Sequence, residues 1–143
     1  MLVADDNEAT CTLVRALLRG DFICDVAADG QEALERLSGR EYAAILLDLR
    51  MPVLDGYAVL DYLREHRPDL MQRVLVVTAA LSAREIQRLE GYDLCGVIAK
   101  PFEVDTMLAA VRQCAGVEGS SFPRGPLLAG GMILLLAEML RRV

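Results

Sequence analysis

The chain has 143 residues, 54% of them hydrophobic and 25% charged, and its 15 Lys and Arg against 21 Asp and Glu leave a net charge of −6. That length suits one compact domain with a single sizeable core. The acidic balance, without a basic block anywhere, argues against a surface that binds nucleic acid by neutralising phosphates.

The opening MLVADD turns acidic at once, so no secretory signal is expected and the chain is assigned to the cytoplasm. LVA at 2 to 4 reads as a short first strand. NEATCTLVRALLRG follows as a helix, with Leu13, Val14, Leu17 and Leu18 on one face and Arg15 and Arg19 on another. FICDVAA at 22 to 28 reads as a second strand, and Asp29 is placed to cap a helix that buries Ala33, Leu34 and Leu37. YAAILLDL at 42 to 49 is apolar on both parities, as a parallel strand covered on both faces should be, and DGYAVLDYLREH is its helix. RVLVVTAA at 73 to 80 is a fourth strand, after which Ser82 and Glu85 stand at capping-box spacing. GVIAKP at 96 to 101 is a fifth, and VDTMLAAVRQCA closes the series as a helix with Val104, Leu108 and Val111 on one face. Strict alternation of strands and helices predicts a parallel α/β sheet of five strands with five helices, four of them crossovers and one following the last strand, over residues 1 to 115.

Beyond it, residues 116 to 126 read as a linker rich in Gly, Ser and Pro. The segment 127 to 143 is an apolar tail expected to be helical. Only eleven residues lie between Pro126 and Glu138, too few for a membrane span of ~20 residues. Leu128, Met132, Leu135, Leu136 and Met139 recur at helical spacing, while Ile133 and Leu134 continue the apolar surface on the other side. Two apolar faces need two partners, so the segment is expected to pack on its own domain or on a sister helix and join chains into a homodimer; a remnant without fixed structure, or the start of a further domain, is the alternative. The cysteines Cys11, Cys24, Cys95 and Cys114 show no C-x-x-C spacing, and His66 is the only histidine, so no zinc site is expected and the thiols are read as reduced.

The polar residues decide the function. In open parallel sheets, ligands bind at the carboxyl ends of the strands. Asp5 and Asp6 follow the first strand, Asp48 the third, Thr78 the fourth and Lys100 the fifth. Each alone has a bland explanation in capping or strand propensity. Together, at the same end of four strands, they predict one polar site. Three carboxylates packed together repel one another, and Lys100 offsets only one charge. A hard divalent cation, Mg²⁺, balances the rest with oxygen ligands. That equipment suits phosphoryl transfer, with Asp48 as the nucleophile that takes the phosphoryl group.

The set ADD at 4 to 6, LLDLRMPVLDG at 46 to 56, VVTAA at 76 to 80 and AKPF at 99 to 102, with the separations between its members, resembles the receiver domain of two-component response regulators. The resemblance implies the flavodoxin-like doubly wound fold with strand order 2-1-3-4-5. It implies Asp48 as phosphoacceptor, Asp6 as a direct Mg²⁺ ligand, Asp5 acting through water, and the main-chain carbonyl of Arg50 as a further ligand. Thr78 would bond a phosphoryl oxygen and move when it arrives, Lys100 would pair with another, and the bond from Lys100 to Pro101 would be cis. Such a domain works on itself rather than turning over a substrate. It takes phosphate from a sensor histidine kinase or a histidine phosphotransfer protein and signals through a downstream protein target. Direct nucleic-acid binding by this chain is not expected. The alternative is a receiver belonging to a longer DNA-binding regulator or hybrid histidine kinase. One departure stands out: where such receivers commonly carry Tyr or Phe three residues before the lysine, this chain has Val97. A flavodoxin would need a hydroxyl- and glycine-rich phosphate loop where Asp5 and Asp6 stand, and a dinucleotide-binding enzyme would need G-x-G-x-x-G, which is absent. A haloacid-dehalogenase-like phosphatase would need its nucleophile after the first strand with a second aspartate two residues on, which Asp5-Asp6-Asn7 does not provide.

Overall fold

The computed structural model describes residues 1–79 and 81–116, so the expected linker beyond Gly116 and the apolar tail lie outside the described residues. Strands β1 (Leu2–Ala4), β2 (Asp25–Ala27), β3 (Ile45–Leu47), β4 (Val74–Thr78) and β5 (Gly96–Ala99) form one parallel sheet in the order β2-β1-β3-β4-β5. Among the described residues six helices connect or follow them: α1 (Glu8–Leu18), α2 (Gly30–Gly39), α3 (Gly56–His66), α4 (Pro68–Met71), α5 (Ala83–Leu89) and α6 (Val104–Cys114). The fold is the flavodoxin-like arrangement expected, with one helix more among the described residues than the five predicted over residues 1 to 115. The extra one, α4, is a single turn started by Pro68 in its first position, where a missing amide costs nothing.

Alternation along the strands builds two cores. Leu2, Ala4, Ile45, Leu47, Val74, Val76 and Val97 face α2 to α5, whereas Val3, Leu46, Leu75, Val77 and Ile98 face α1 and α6. Burying a side chain of this size stabilises by ~1.5–3 kcal/mol, which is why strands of three to five residues suffice. Helix starts follow the capping chemistry. The side chains of Asn7, Asp29, Asp55 and Ser82 accept the amides of Thr10, Glu32, Ala58 and Glu85.

Several faces differ from expectation. In α1 the buried stripe is Cys11, Val14 and Leu18, while Leu13 is exposed. The second strand is shorter than 22–28 because residues 21 and 22 still donate to the Leu18 carbonyl, leaving Ile23 fully in solvent. In α6 the buried residues include Met107, Ala110, Val111 and Cys114, and Val104 is exposed.

The reading of all thiols as reduced is also corrected, because Cys95 and Cys114 form a disulfide, with Cα atoms 5.7 Å apart. Cys95 immediately precedes β5 and Cys114 ends α6. A helix that returns antiparallel to its strand brings its end back to the strand's beginning, so residues 19 apart in sequence meet. Closing a loop of that size constrains the unfolded chain by about 3 kcal/mol. Cys114→Ser is therefore expected to lower the melting temperature by roughly 10 °C, and a strong reductant should lower that of the parent protein by a similar amount while leaving the variant unmoved. Calorimetry with and without reductant checks this, and a parent protein insensitive to reductant contradicts it.

Candidate functional site

The residues at the strand ends are held by the sheet itself. Past the last paired position of β1, the Asp5 amide still donates to the Ala27 carbonyl at 3.0 Å; past β3, the Asp48 amide donates to Ala4 at 2.9 Å; past β5, the Lys100 amide donates to Thr78 at 2.9 Å. Each functional side chain thus starts from a backbone fixed by its neighbour strand. Asp5, Asp48 and Thr78 are buried, and Asp6 is exposed at the crevice.

Lys100 spans the two buried carboxylates, its Nζ 2.5 Å from Asp5 Oδ2 and 3.0 Å from Asp48 Oδ2. Burial pulls the ammonium toward losing its proton, but the hydrogen bonds to Asp5 and Asp48 outweigh it and hold the lysine above its ordinary range, so it stays charged. The opposite carboxylate oxygens take main-chain amides. Asp5 Oδ1 accepts from Asn7 at 2.9 Å, and Asp48 Oδ1 accepts from Arg50 at 3.2 Å. Cys11 lies behind this arrangement and donates its thiol to the Asp5 carbonyl at 3.3 Å. Burial first, then the Asp5 charge, pushes that thiol up, so it stays protonated.

Oxygen atoms of Asp5, Asp6 and Asp48 lie within 4.8 Å of one another. One ammonium faces three carboxylates, and the open ligand atoms are all hard oxygens. The donor set therefore fits a divalent cation of the Mg²⁺ type.

Four of the strand-end residues named from the sequence, Asp5, Asp6, Asp48 and Lys100, come together here, while Thr78 ends β4 with its carbonyl accepting the Lys100 amide. Arg50 is beside them, its amide on Asp48 and its side chain lining an adjacent cavity of about 560 Å³ with Asp6, Leu49, Met51, Pro52, Asp55, Tyr57, Glu85 and Arg88. The Lys100–Pro101 bond is cis. Val97 pairs in register with Val76 and is buried in the core.

Two glycines missed by pattern reading shape the loop after Asp48. A Cβ on Gly56 would lie 2.4 Å from the Asp48 carbonyl oxygen and 2.7 Å from Leu49 Cα, and one on Gly30 would lie 2.1 Å from the Leu54 carbonyl oxygen. In both places backbone passes too close for any side chain. Gly56→Ala is therefore expected to cost about 1–3 kcal/mol and to displace Asp48. A lower urea midpoint is the expected reading, and a parent-like midpoint contradicts the close approach.

A family model described as the response regulator receiver domain matches residues 1–112. The chain belongs to this family. Among similar proteins, the transcriptional regulatory protein TcrA of Mycobacterium tuberculosis is 31% identical over 137 residues, covering 94% of this chain and 52% of that protein. The transcriptional regulatory protein SrrA of Staphylococcus aureus is 34% identical over 115 residues, covering 78% and 46%. The chain spans about half the length of these relatives. The receiver domain of the Francisella response regulator 1452 superposes with a TM-score of 0.73 at 27% identity, over 80% of this chain and 94% of that one. The receiver domain of the sensor histidine kinase PA1611 of Pseudomonas aeruginosa, described with a magnesium ion coordinated in its active-site cleft, superposes with a TM-score of 0.69 at 29% identity, over 80% and 95%. No helix among the described residues is long and apolar enough to cross a membrane.

Proposed function

We propose that this receiver takes a phosphoryl group onto Asp48 from the phosphohistidine of a sensor kinase or histidine phosphotransfer protein. The observation that carries this reading is Lys100 Nζ bridging Asp5 and Asp48 at the lip of the sheet, with Asp6 completing a triad of close carboxylates.

Bound Mg²⁺ would be held by Asp5, Asp6, Asp48 and the Arg50 main-chain carbonyl, and it would supply the positive charge that neutralises the incoming phosphoryl oxygens. The chain's residues do the rest. One Asp48 carboxylate oxygen attacks phosphorus as the bond from phosphorus to the donor imidazole nitrogen breaks, and that nitrogen keeps the electron pair. Lys100 is positioned to leave Asp48 and pair with a phosphoryl oxygen, and Thr78, at the end of β4, to bond another. The switch then involves Thr78, Pro101 and the strand carrying Val97. The protein acts on itself, in the cytoplasm, and passes the signal to a downstream protein without reading nucleic acid through these residues; self-association through residues 127 to 143 belongs to the same reading.

A second reading concerns what lies around the receiver. The relatives named transcriptional regulatory proteins are about twice as long, and a structural neighbour is part of a sensor kinase, which favours a receiver that serves a larger regulator.

Incubation with a small acyl phosphate tests the core of the proposal. Intact mass should show one phosphoryl group added when Mg²⁺ is present and none with a chelator. Equal incorporation in both conditions would remove the metal from the reaction.

A further inference from the structure

Position 97, where the resemblance led to an expected aromatic, holds a valine that is buried in β5 and has no polar group to move. An aromatic does occupy that core from another element. Tyr57, the second residue of α3, belongs to the same buried cluster as Val97, Ile86 and Tyr92. Its ring is buried, and its hydroxyl reaches out of the cluster to donate to the Glu85 carboxylate in the first turn of α5. A capping box would turn that carboxylate back to the Ser82 amide; here it receives a hydrogen bond from a different helix. One turn further along α5, the Arg88 guanidinium lies 3.5 Å from the Tyr57 ring centroid. Two residues of α5 at helical spacing thus grip one side chain of α3. Burial first, then the Glu85 bond, pushes the Tyr57 hydroxyl far above its ordinary range, so it remains a donor.

The other end of this connection is the phosphoacceptor. Gly56 precedes Tyr57, donates its amide to the Leu49 carbonyl at 2.9 Å, and has no room for a Cβ against the Asp48 carbonyl. The start of α3 therefore rests on the Asp48–Leu49 backbone without slack. The cavity lined by Asp6, Leu49 and Arg50 is also lined by Tyr57, Glu85 and Arg88.

We propose that Tyr57 is the positioning residue that couples Asp48 to α5, through a hydroxyl bond to Glu85 that holds α5 in place until a phosphoryl group arrives. This rests on the phosphoacceptor reading above. A modification can shift an equilibrium only through interactions that differ between its two states. A dianionic phosphoryl group on Asp48, the residue before the cavity-lining Leu49, supplies that difference, because its charge repels the Glu85 carboxylate and attracts the Arg88 guanidinium, drawing both away from the ring. With seven residues, α5 is too short to stay helical alone, so its order depends on such anchors beside the buried Ile86 and Leu89.

Hydrogen exchange at residues 82 to 92, measured with and without acyl phosphate and Mg²⁺ while intact mass follows phosphoryl uptake, tests the coupling. In the parent protein, phosphorylation is expected to speed exchange there roughly fivefold, the loss of about one hydrogen bond. Tyr57→Phe keeps the ring and removes the hydroxyl; it should exchange roughly fivefold faster before phosphorylation, gain little after it, and take up phosphate to the same extent. Glu85→Gln retains an acceptor but removes the repelled charge, so its exchange should start near the parent's and rise less on phosphorylation. Exchange in β1 should not change, which separates coupling from general loss of stability. If Tyr57→Phe and Glu85→Gln are phosphorylated normally and keep the full parent increment, the coupling is overturned. If the parent protein takes up no phosphate, the phosphoacceptor reading falls and the coupling with it.

Discussion

Asp48→Asn is expected to reduce phosphoryl incorporation to background while leaving the fold in place. The substitution preserves shape and volume. The Asp48 main-chain bond to Ala4 and the approach of Gly56 do not involve the side chain, so the loop after β3 keeps its course. What disappears is the anionic oxygen. An amide oxygen is neutral and its electron pair is delocalised toward nitrogen, so it does not attack phosphorus at a useful rate. Neither neighbouring carboxylate is placed to take over: Asp5 is buried with one oxygen on the Asn7 amide and the other on Lys100, and Asp6 is exposed at the rim of the crevice. Intact mass after incubation with acyl phosphate and Mg²⁺ gives the measurement. Incorporation equal to that of the parent protein would move the acceptor to another residue.

The site was legible in the sequence because it depends on topology more than on packing. A parallel sheet places every strand end on one edge, so Asp5, Asp6, Asp48, Thr78 and Lys100 could be brought together without knowing any side-chain geometry. The features that the sequence pattern does not carry depend on phase and on contacts between elements. Apolar residues occupy several faces of α6, so periodicity alone could not choose between Val104 with Leu108 and Met107 with Ala110; the approach of Cys114 to Cys95 goes with the second choice. The same pairing defeats an inference from cysteine spacing, since it follows from a helix returning along a strand and not from a local motif. Ile23 looked like strand because it is apolar, whereas the chain there is still closing the end of α1. Glu85 stands at capping-box spacing in the sequence, but only the fold shows its carboxylate committed to Tyr57.

Lys100→Met should destabilise the metal-free protein by about 3 kcal/mol, or roughly 10 °C in melting temperature, and Mg²⁺ should recover much of that loss. Methionine keeps the length and the apolar stem of lysine, so packing changes little and the effect isolates the charge. In the parent protein one ammonium satisfies Asp5 Oδ2 and Asp48 Oδ2 together, and the lysine side chain is only 19% exposed. Its removal leaves two buried carboxylates facing each other with Asp6 nearby and no cation between them. Breaking a buried pair from one side costs more than the pair was worth, because the remaining charge keeps its desolvation penalty. The lower part of the usual range applies here, since each carboxylate keeps a main-chain amide, Asp5 that of Asn7 and Asp48 that of Arg50. Lys100 also competes with a divalent cation for the same negative field, so the variant should bind Mg²⁺ more tightly, and a ligand that binds only the folded state stabilises in proportion to the logarithm of its concentration over its dissociation constant. Melting curves recorded over a Mg²⁺ series should therefore show the gap between parent and variant narrowing as Mg²⁺ rises. A gap that stays constant would mean that the cation does not sit among Asp5, Asp6 and Asp48, and a variant as stable as the parent without metal would mean that the lysine does not compensate the two buried carboxylates.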